Sequence, residues 1–183
     1  MKLLFLYISL SCCTEALAFV LTKNSSNNLW IENGFVLLEC VLLSLILIKS
    51  GLNEVSRLVV YFIPAWVVVW TVSTFMFDGS FFKFNVYGHL VEAVVLVVMS
   101  AALLVRLSSQ IDEDIFRDAR FWIASAILIL FAVNMLVYSL ANYFFTELSS
   151  QAFLKVWVIH SISNIIANLL FSMGFVCKPS KTI

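Results

Sequence analysis

The stretch that most constrains this chain runs from Asn85 to Leu107 and reads NVYGHLVEAVVLVVMSAALLVRL. It is apolar over enough residues to cross a lipid bilayer as a helix, which takes about 20 residues at a rise of about 1.5 Å each. It nevertheless carries His89 and Glu92, whose spacing of three places them on one face of a helix. Because ionisable side chains inside a membrane are energetically costly, this pair predicts a functional polar site.

The composition indicates an integral membrane protein. Of the 183 residues, 62% are hydrophobic and 12% are charged, whereas soluble domains carry about 25% charged residues. The formal net charge is zero, which excludes the basic footprint of a nucleic-acid-binding protein. The four cysteines lack CxxC spacing and predict buried thiols; they are Cys12, Cys13, Cys40 and Cys177.

The apolar runs predict an all-α integral membrane protein, a bundle of about six transmembrane helices in a single domain with no soluble part. The predicted spans are about residues 3–21, 35–48, 58–77, 86–107, 121–145 and 152–176. The first run resembles a secretory signal, but it has one preceding lysine and a poor cleavage pattern, so we expect a retained span. The low content of Gly and Pro, 5 and 2 residues, disfavours the broken helices of many transporters.

The distribution of Lys and Arg predicts the orientation, because cytoplasmic loops carry an excess of these residues. One side of the membrane would hold eight of them, namely Lys2, Lys49, Arg57, Arg106, Arg117, Arg120, Lys178 and Lys181. The other side would hold three, Lys23, Lys83 and Lys155. Both termini are therefore expected in the cytoplasm, with the protein in an inner or plasma membrane.

With this orientation, ionisable residues of four spans lie at a similar depth in the outer half of the membrane. Carboxyl groups brought together there resist full ionisation, so they can act as hydrogen-bond donors, proton carriers or cation ligands. We expect a ligand or proton site from these residues and two neighbouring amides. Its predicted members are Glu15, Glu39, His89, Glu92, His160, Asn134 and Asn164.

Polar residues also recur every four positions along four spans, which places them on one face of each helix. The four stripes are Tyr7, Ser11, Glu15; Trp66, Trp70, Thr74, Asp78; Asn134, Tyr138, Asn142; and His160, Asn164, Asn168, Ser172. Because hydrocarbon offers no hydrogen-bond partners, the stripes should face each other or a wet cavity. Alternatively, the same groups serve only as interhelical hydrogen bonds that specify packing.

A metal site is another interpretation of this layer. Imidazole and carboxylate together suit zinc, iron or manganese, and the ligands would be His89, Glu92, His160 and Glu39. A haem between the two histidines lacks a supporting signature. No catalytic residue is assigned, because Ser161 and His160 are adjacent on a helix and point apart, and no Gly-x-Ser-x-Gly turn is present.

The longest extramembrane piece is SSQIDEDIFRDAR, residues 108–120. One interpretation is a solvated turn in which Asp112 or Asp114 caps the helix of span five. The other is a docking surface for a cytosolic protein partner. The residues predicted for that surface are Asp112, Glu113, Asp114, Phe116, Arg117 and Arg120.

A weak internal similarity relates residues 33–57 to residues 85–109. Each segment begins with an Asn, has a Glu about two turns later, and carries a basic residue near its far end. Most of the other matching positions are apolar, so we infer no duplication from it.

These observations predict a small polytopic membrane sensor or signalling accessory. It would be a homo-oligomer that responds at the polar layer and reports through its inner loops to a cytosolic partner. The alternative is a substrate-binding or transport subunit, because six short-looped spans resemble, in size and span count, the substrate-binding components of energy-coupling vitamin transporters. A third interpretation is a metal-dependent membrane enzyme.

Overall fold

The computed structural model describes residues 2–24, 26–52, 56–77, 81, 83, 85–110, 115–140 and 150–177. Side chains are described for the same residues apart from 56–60, 77, 110 and 150–157. Within these ranges the secondary structure is helical and contains no strand, as the apolar runs of the sequence predict.

Six α-helices follow one another in the described part of the chain. They are α1 (Lys2–Lys23), α2 (Leu29–Lys49), α3 (Ser56–Val72), α4 (Val86–Gln110), α5 (Ala119–Ser139) and α6 (Ser150–Val176). A π-helical turn, Ser73–Phe77, continues α3, and a 3-10 turn, Ile115–Arg117, precedes α5.

Five of these helices, α1, α2, α4, α5 and α6, are long and apolar enough to cross a membrane. This supports the predicted multi-pass helical membrane protein. The apolar part of α3 with its π-helical turn, Tyr61–Met76, is shorter than the other five. At the end of predicted span five, α5 stops at Ser139, and residues 141–145 lie outside the described residues.

Helix α2 begins at Leu29, six residues before the predicted start of span two. The polar residues that suggested a loop are accommodated inside its first turns. Asn28 donates a 2.9 Å hydrogen bond to Glu32 Oε1, and Asn33 is fully buried. Glu39 therefore lies at the middle of α2, ten residues from either end, rather than in the outer half of its span, where the sequence predicts the ionisable residues.

The chain packs as two compact units, Met1–Glu92 and Ala93–Ile183, and the boundary falls within α4. In the first unit α1 packs against α2. Its apolar core combines α2 with α3 and consists of Val36, Cys40, Trp66 and Trp70, with Val91 of α4 packed against them.

In the second unit α5 and α6 pack closely against each other. Buried residues recur along α6 at Ser163, Ala167 and Phe171, every four positions, as expected for one face of a helix. At the end of this face a Cβ atom on Gly174 would lie 3.0 Å from Ile123 Cγ1 and 3.4 Å from the Ala119 carbonyl oxygen. Glycine therefore lets the end of α6 approach the start of α5.

The residue that caps α5 is Asp118, so the expectation that Asp112 or Asp114 does so is wrong. The Asp118 carboxylate accepts a 2.8 Å hydrogen bond from the Arg120 backbone N–H. It also forms an ion pair with the Arg120 guanidinium, at 2.7 Å between Nη2 and Oδ2. The helix begins after Asp118 rather than after Asp112 or Asp114, because the residues Ile115–Arg117 form a separate 3-10 turn.

Candidate functional site

The candidate site lies in the first unit, where α1, α2 and α4 bring together a tyrosine and two glutamates. Tyr7 is buried on α1 and donates a 2.8 Å hydrogen bond to Glu39 Oε1. Its ring stacks on Phe35, one turn earlier on α2, with centroids 6.4 Å apart. The stacking orients the phenol, so its hydroxyl group is a fixed donor to the Glu39 carboxyl group.

Glu92 is the most buried acidic residue of the site, with 1% of its surface exposed. Its carboxyl group interacts electrostatically with that of Glu39 and with the Cys40 thiol. Its Oε1 atom makes no hydrogen bond within the described part of the chain. The site therefore contains a buried oxygen atom whose hydrogen-bonding capacity is unused.

The Lys and Arg residues of α2 and α4, the two helices that carry these carboxyl groups, lie far from them along the helix axes. Lys49 is ten residues from Glu39, which corresponds to about 15 Å of helix, and Arg106 is fourteen residues from Glu92, about 21 Å. Lys2 and Lys23 are the end residues of α1. The two carboxyl groups thus lie away from the positive charges of their own helices.

His89 is buried on α4, one turn before Glu92, with 7% of its surface exposed. The predicted His-x-x-Glu pair therefore lies inside the unit on one helical face. Glu15 does not join it: the side chain is exposed, eight residues or about 12 Å along α1 from Tyr7.

The other predicted residues, Asn134, His160 and Asn164, form a separate cluster in the second unit. His160 Nδ1 lies 2.8 Å from Asn134 Oδ1, and His160 Nε2 lies 3.2 Å from Asn164 Nδ2. An amide oxygen only accepts and an amide nitrogen only donates, so this arrangement assigns a neutral imidazole with its proton on Nδ1. Both ring nitrogens are engaged, which leaves neither available as a metal ligand.

The polar stripes predicted on four helices differ in how far their side chains are buried. Trp66, Trp70 and Thr74 of the α3 stripe are buried, as are Asn134 and Tyr138 of the α5 stripe. In the α6 stripe, Asn168 and Ser172 are exposed, and in the α1 stripe, Glu15 is exposed. Asp78 and Asn142 lie outside the described residues.

No group of three or more His, Cys, Asp or Glu side chains among the described residues is arranged to hold a metal ion. The proposed ligand set of His89, Glu92, His160 and Glu39 divides between the two clusters described above. The structure therefore offers no observation that favours the metal interpretation.

A cluster of buried amides and hydroxyls, which sequence reasoning missed, connects α2, α3 and α4. Asn33 donates hydrogen bonds of 2.8 and 2.7 Å to the carbonyl oxygens of Phe81 and Lys83. Its Oδ1 accepts a 3.4 Å hydrogen bond from the Asn85 backbone N–H. We call this group, completed by Ser73 and Thr74, the amide cluster.

Asn85 is the centre of the amide cluster and caps α4. Its Oδ1 accepts 2.8 Å hydrogen bonds from the Gly88 backbone N–H and from Ser73 Oγ. Its Nδ2 donates to Thr74 Oγ1 at 2.6 Å and to the Trp70 carbonyl oxygen at 3.2 Å. The cluster thereby fixes the π-helical turn at the end of α3 against the start of α4, a type of irregularity often found at functional sites.

In the sequence, the weak similarity between residues 33–57 and residues 85–109 was the one feature that pointed to the amide cluster. Its two leading asparagines, Asn33 and Asn85, are in direct hydrogen-bond contact. Its two glutamates, Glu39 and Glu92, are the interacting carboxyl groups of the site. The similarity was too weak to reveal either relationship, because most of its matching positions are apolar.

The predicted docking surface is described only in part, since Asp112, Glu113 and Asp114 lie outside the described residues. Phe116 is exposed, but its ring packs edge-to-face against Phe121 at 5.2 Å. Its carbonyl oxygen accepts a 2.7 Å hydrogen bond from the Trp122 indole. The 3-10 turn is thus held against the first turn of α5, Arg120 is engaged with Asp118, and Arg117 is exposed.

No known protein family, curated protein or solved structure matches this chain.

Proposed function

We propose that the protein is a small polytopic membrane sensor or signalling accessory that responds at the Tyr7–Glu39–Glu92 site. The observation that supports this proposal is the burial of the Glu92 carboxyl group, one oxygen atom of which makes no described hydrogen bond, together with its electrostatic interaction with the half-buried Glu39 on another helix. Ionisable groups in this position are expensive to keep in a membrane and respond strongly to a change of charge or ligand. Such a site suits the reception of a signal.

The proposed topology has six spans, with α3 and its π-helical turn as the third, and both termini in the cytoplasm. The excess of Lys and Arg on one side of the chain supports this orientation. A cysteine introduced at Ser109, exposed near the end of α4, would test it. A membrane-impermeant thiol reagent should label this cysteine from the cytoplasmic side only, and labelling from outside the cell would contradict the proposed orientation.

We propose that α4 carries the response toward a cytosolic partner. It is one continuous helix that holds Glu92 in its second turn and ends at Gln110, about 27 Å farther along the axis. A rigid helix of this length transmits a small displacement from one end to the other. The partner would contact the segment after α4, in which Phe116 and Arg117 are exposed.

Mobility of a spin label at the end of α4 tests the coupling. The label would be attached to Ser109→Cys, with Cys12, Cys13 and Cys177 replaced by Ala, in protein reconstituted into lipid nanodiscs. Glu39→Gln should change the label spectrum relative to the parent protein, because it removes the carboxyl group that accepts the Tyr7 hydrogen bond and with it the negative charge of the site. The matched control, Glu32→Gln in the first turns of α2, keeps the oxygen that accepts from Asn28 and should leave the spectrum unchanged. Identical spectra for all three proteins would contradict the proposed sensor role.

We also propose that the protein self-associates through α6. Asn168 is exposed at the middle of the apolar stretch Val158–Val176, where lipid tails cannot satisfy its amide group. Ser172 lies on the same face, one turn later. An amide both donates and accepts, so the same residue of a second copy can satisfy it across a twofold axis.

A further inference from the structure

Glu39 and Glu92 have different hydrogen-bond environments although they interact with each other. Glu39 accepts a 2.8 Å hydrogen bond from the oriented Tyr7 hydroxyl group, and hydrogen bonds donated to a carboxyl group favour its charged form. Glu92 Oε1 accepts no hydrogen bond within the described residues, and the side chain is almost completely buried. A negative charge is therefore better accommodated on Glu39 than on Glu92.

A second negative charge on Glu92 would be opposed in two ways. An ionised carboxylate buried in a low-dielectric environment without a partner is so unfavourable that such groups are normally neutral. The nearby Glu39 carboxylate adds Coulomb repulsion, which low dielectric strengthens. On α4, Arg106 is fourteen residues from Glu92, and on α2, Lys49 is ten residues from Glu39, so neither helix supplies a nearby positive charge.

We propose that, of the two carboxyl groups, Glu39 is the first to ionise and Glu92 binds one exchangeable proton. The carboxylate takes up one proton from water to give the neutral acid and releases it again to water. This inference rests on the proposed function and deepens it, because it names the proton as the ligand that the sensor detects.

The surroundings of the pair favour a proton over a metal cation. Calcium and magnesium require about six or more oxygen ligands in a defined arrangement, and no cluster of three potential ligands occurs among the described residues. Val36 and Cys40, which flank Glu39 on α2, belong to an apolar core cluster with Trp66 and supply no carboxylate or carbonyl side chain to a cation. A proton needs only one oxygen atom, and Glu92 Oε1 is such an atom.

The other titratable groups around the pair come from three helices. Tyr7 is on α1, Cys40 is on α2, and His89 is on α4, one turn before Glu92. Glu15, exposed on α1, acts on Glu39 only electrostatically. Besides Glu39, His89 is the group that could take the proton and leave Glu92 charged. The experiment must therefore report on the carboxyl group itself.

Infrared spectroscopy of the protein in nanodiscs reports directly on the protonation of a carboxyl group. A protonated carboxyl group has a carbonyl stretching band above the amide bands, and this band shifts when the proton exchanges for deuterium. The wild-type protein should show such a band at neutral pH. Glu92→Gln should abolish it, whereas Glu39→Gln and the control Glu32→Gln should retain it.

Three results would overturn the proposal. They are the absence of the band at neutral pH, its persistence in Glu92→Gln, and its displacement by sodium ions at constant pH, which would identify a metal cation as the ligand. If Glu92→Gln does not fold, Glu92→Asp decides instead, because it should keep a protonated carboxyl band at a shifted frequency, and an unshifted band would contradict the assignment.

The two proposals fail in different ways. A Glu92 band together with a spin label at position 109 that never responds would contradict the sensor role and leave the proton site intact. A responsive label in a protein without the band would contradict the proton site and leave the sensor role.

Discussion

At the scale of single residues, burial of His89 and Glu92 was predictable because helical spacing fixes which residues share a face. The exposure of Glu15 was not, because depth along a helix does not reveal which way a side chain points. The roles of Asn33 and Asn85 were also hidden, since their partners, Phe81, Lys83 and Ser73, become neighbours only through the connection between α3 and α4.

The Tyr7 hydrogen bond has a measurable consequence at this scale. Tyr7→Phe keeps the ring that stacks on Phe35 but removes the donor to Glu39, which should destabilise the protein by about 0.5–2 kcal/mol. Thermal unfolding in mild detergent would measure the loss. Tyr61→Phe is the matched control because Tyr61 is 77% exposed, and an equal loss in both variants would show that the hydrogen bond does not contribute.

At the scale of elements, apolar length was sufficient to place six helices, and the end of α2 agreed with its predicted span. The start of α2 was missed because Glu32 and Asn33 look like loop residues until their partners are known. The cap of α5 was misplaced because several aspartates precede that helix, and the choice of Asp118 depends on the 3-10 turn before it.

The junction of α3 and α4 depends on Gly88. A Cβ atom there would lie 2.7 Å from both Asn85 Nδ2 and Trp70 Cδ1, closer than van der Waals contact allows. Gly88→Ala should therefore disturb the amide cluster and destabilise the protein by about 1–3 kcal/mol, as measured by chemical or thermal unfolding.

Gly34 provides the control for this prediction. A Cβ atom at Gly34 would meet its nearest neighbour, Phe81 Cζ, at 3.9 Å, which is ordinary contact. Gly34→Ala should be neutral or stabilising, since alanine favours the helix. If Gly88→Ala were as stable as Gly34→Ala, the close approach of α3 and α4 would not hold in the folded protein.

At the scale of the whole molecule, composition alone predicted the membrane class, because 12% of the residues are charged and soluble domains average about 25%. Five helices long and apolar enough to cross a membrane support that prediction. Composition says nothing about which exposed polar groups meet a partner. Asn168 is informative because it is exposed on a helix whose other exposed residues are mostly apolar, and a polar group at that position requires a partner in lipid.

Replacing Asn168 tests self-association. Asn168→Leu should shift the protein from dimer to monomer, as measured by single-molecule photobleaching of labelled protein in nanodiscs, because the amide pair is lost. Leu169→Ala, an exposed apolar residue on a neighbouring face of α6, should leave the stoichiometry unchanged. The same stoichiometry for wild type and Asn168→Leu would exclude this interface.

The most direct test of the proton-sensor proposal records the infrared band and the spin-label spectrum on one sample. The pH would be varied while the Glu92 carboxyl band and the mobility of the spin label at position 109 are both recorded. If proton binding at Glu92 drives the response, the two signals should change with the same midpoint, and Glu92→Gln should abolish both changes. Separate midpoints, or a label response that survives Glu92→Gln, would contradict the claim that this buried carboxyl group is the sensing element.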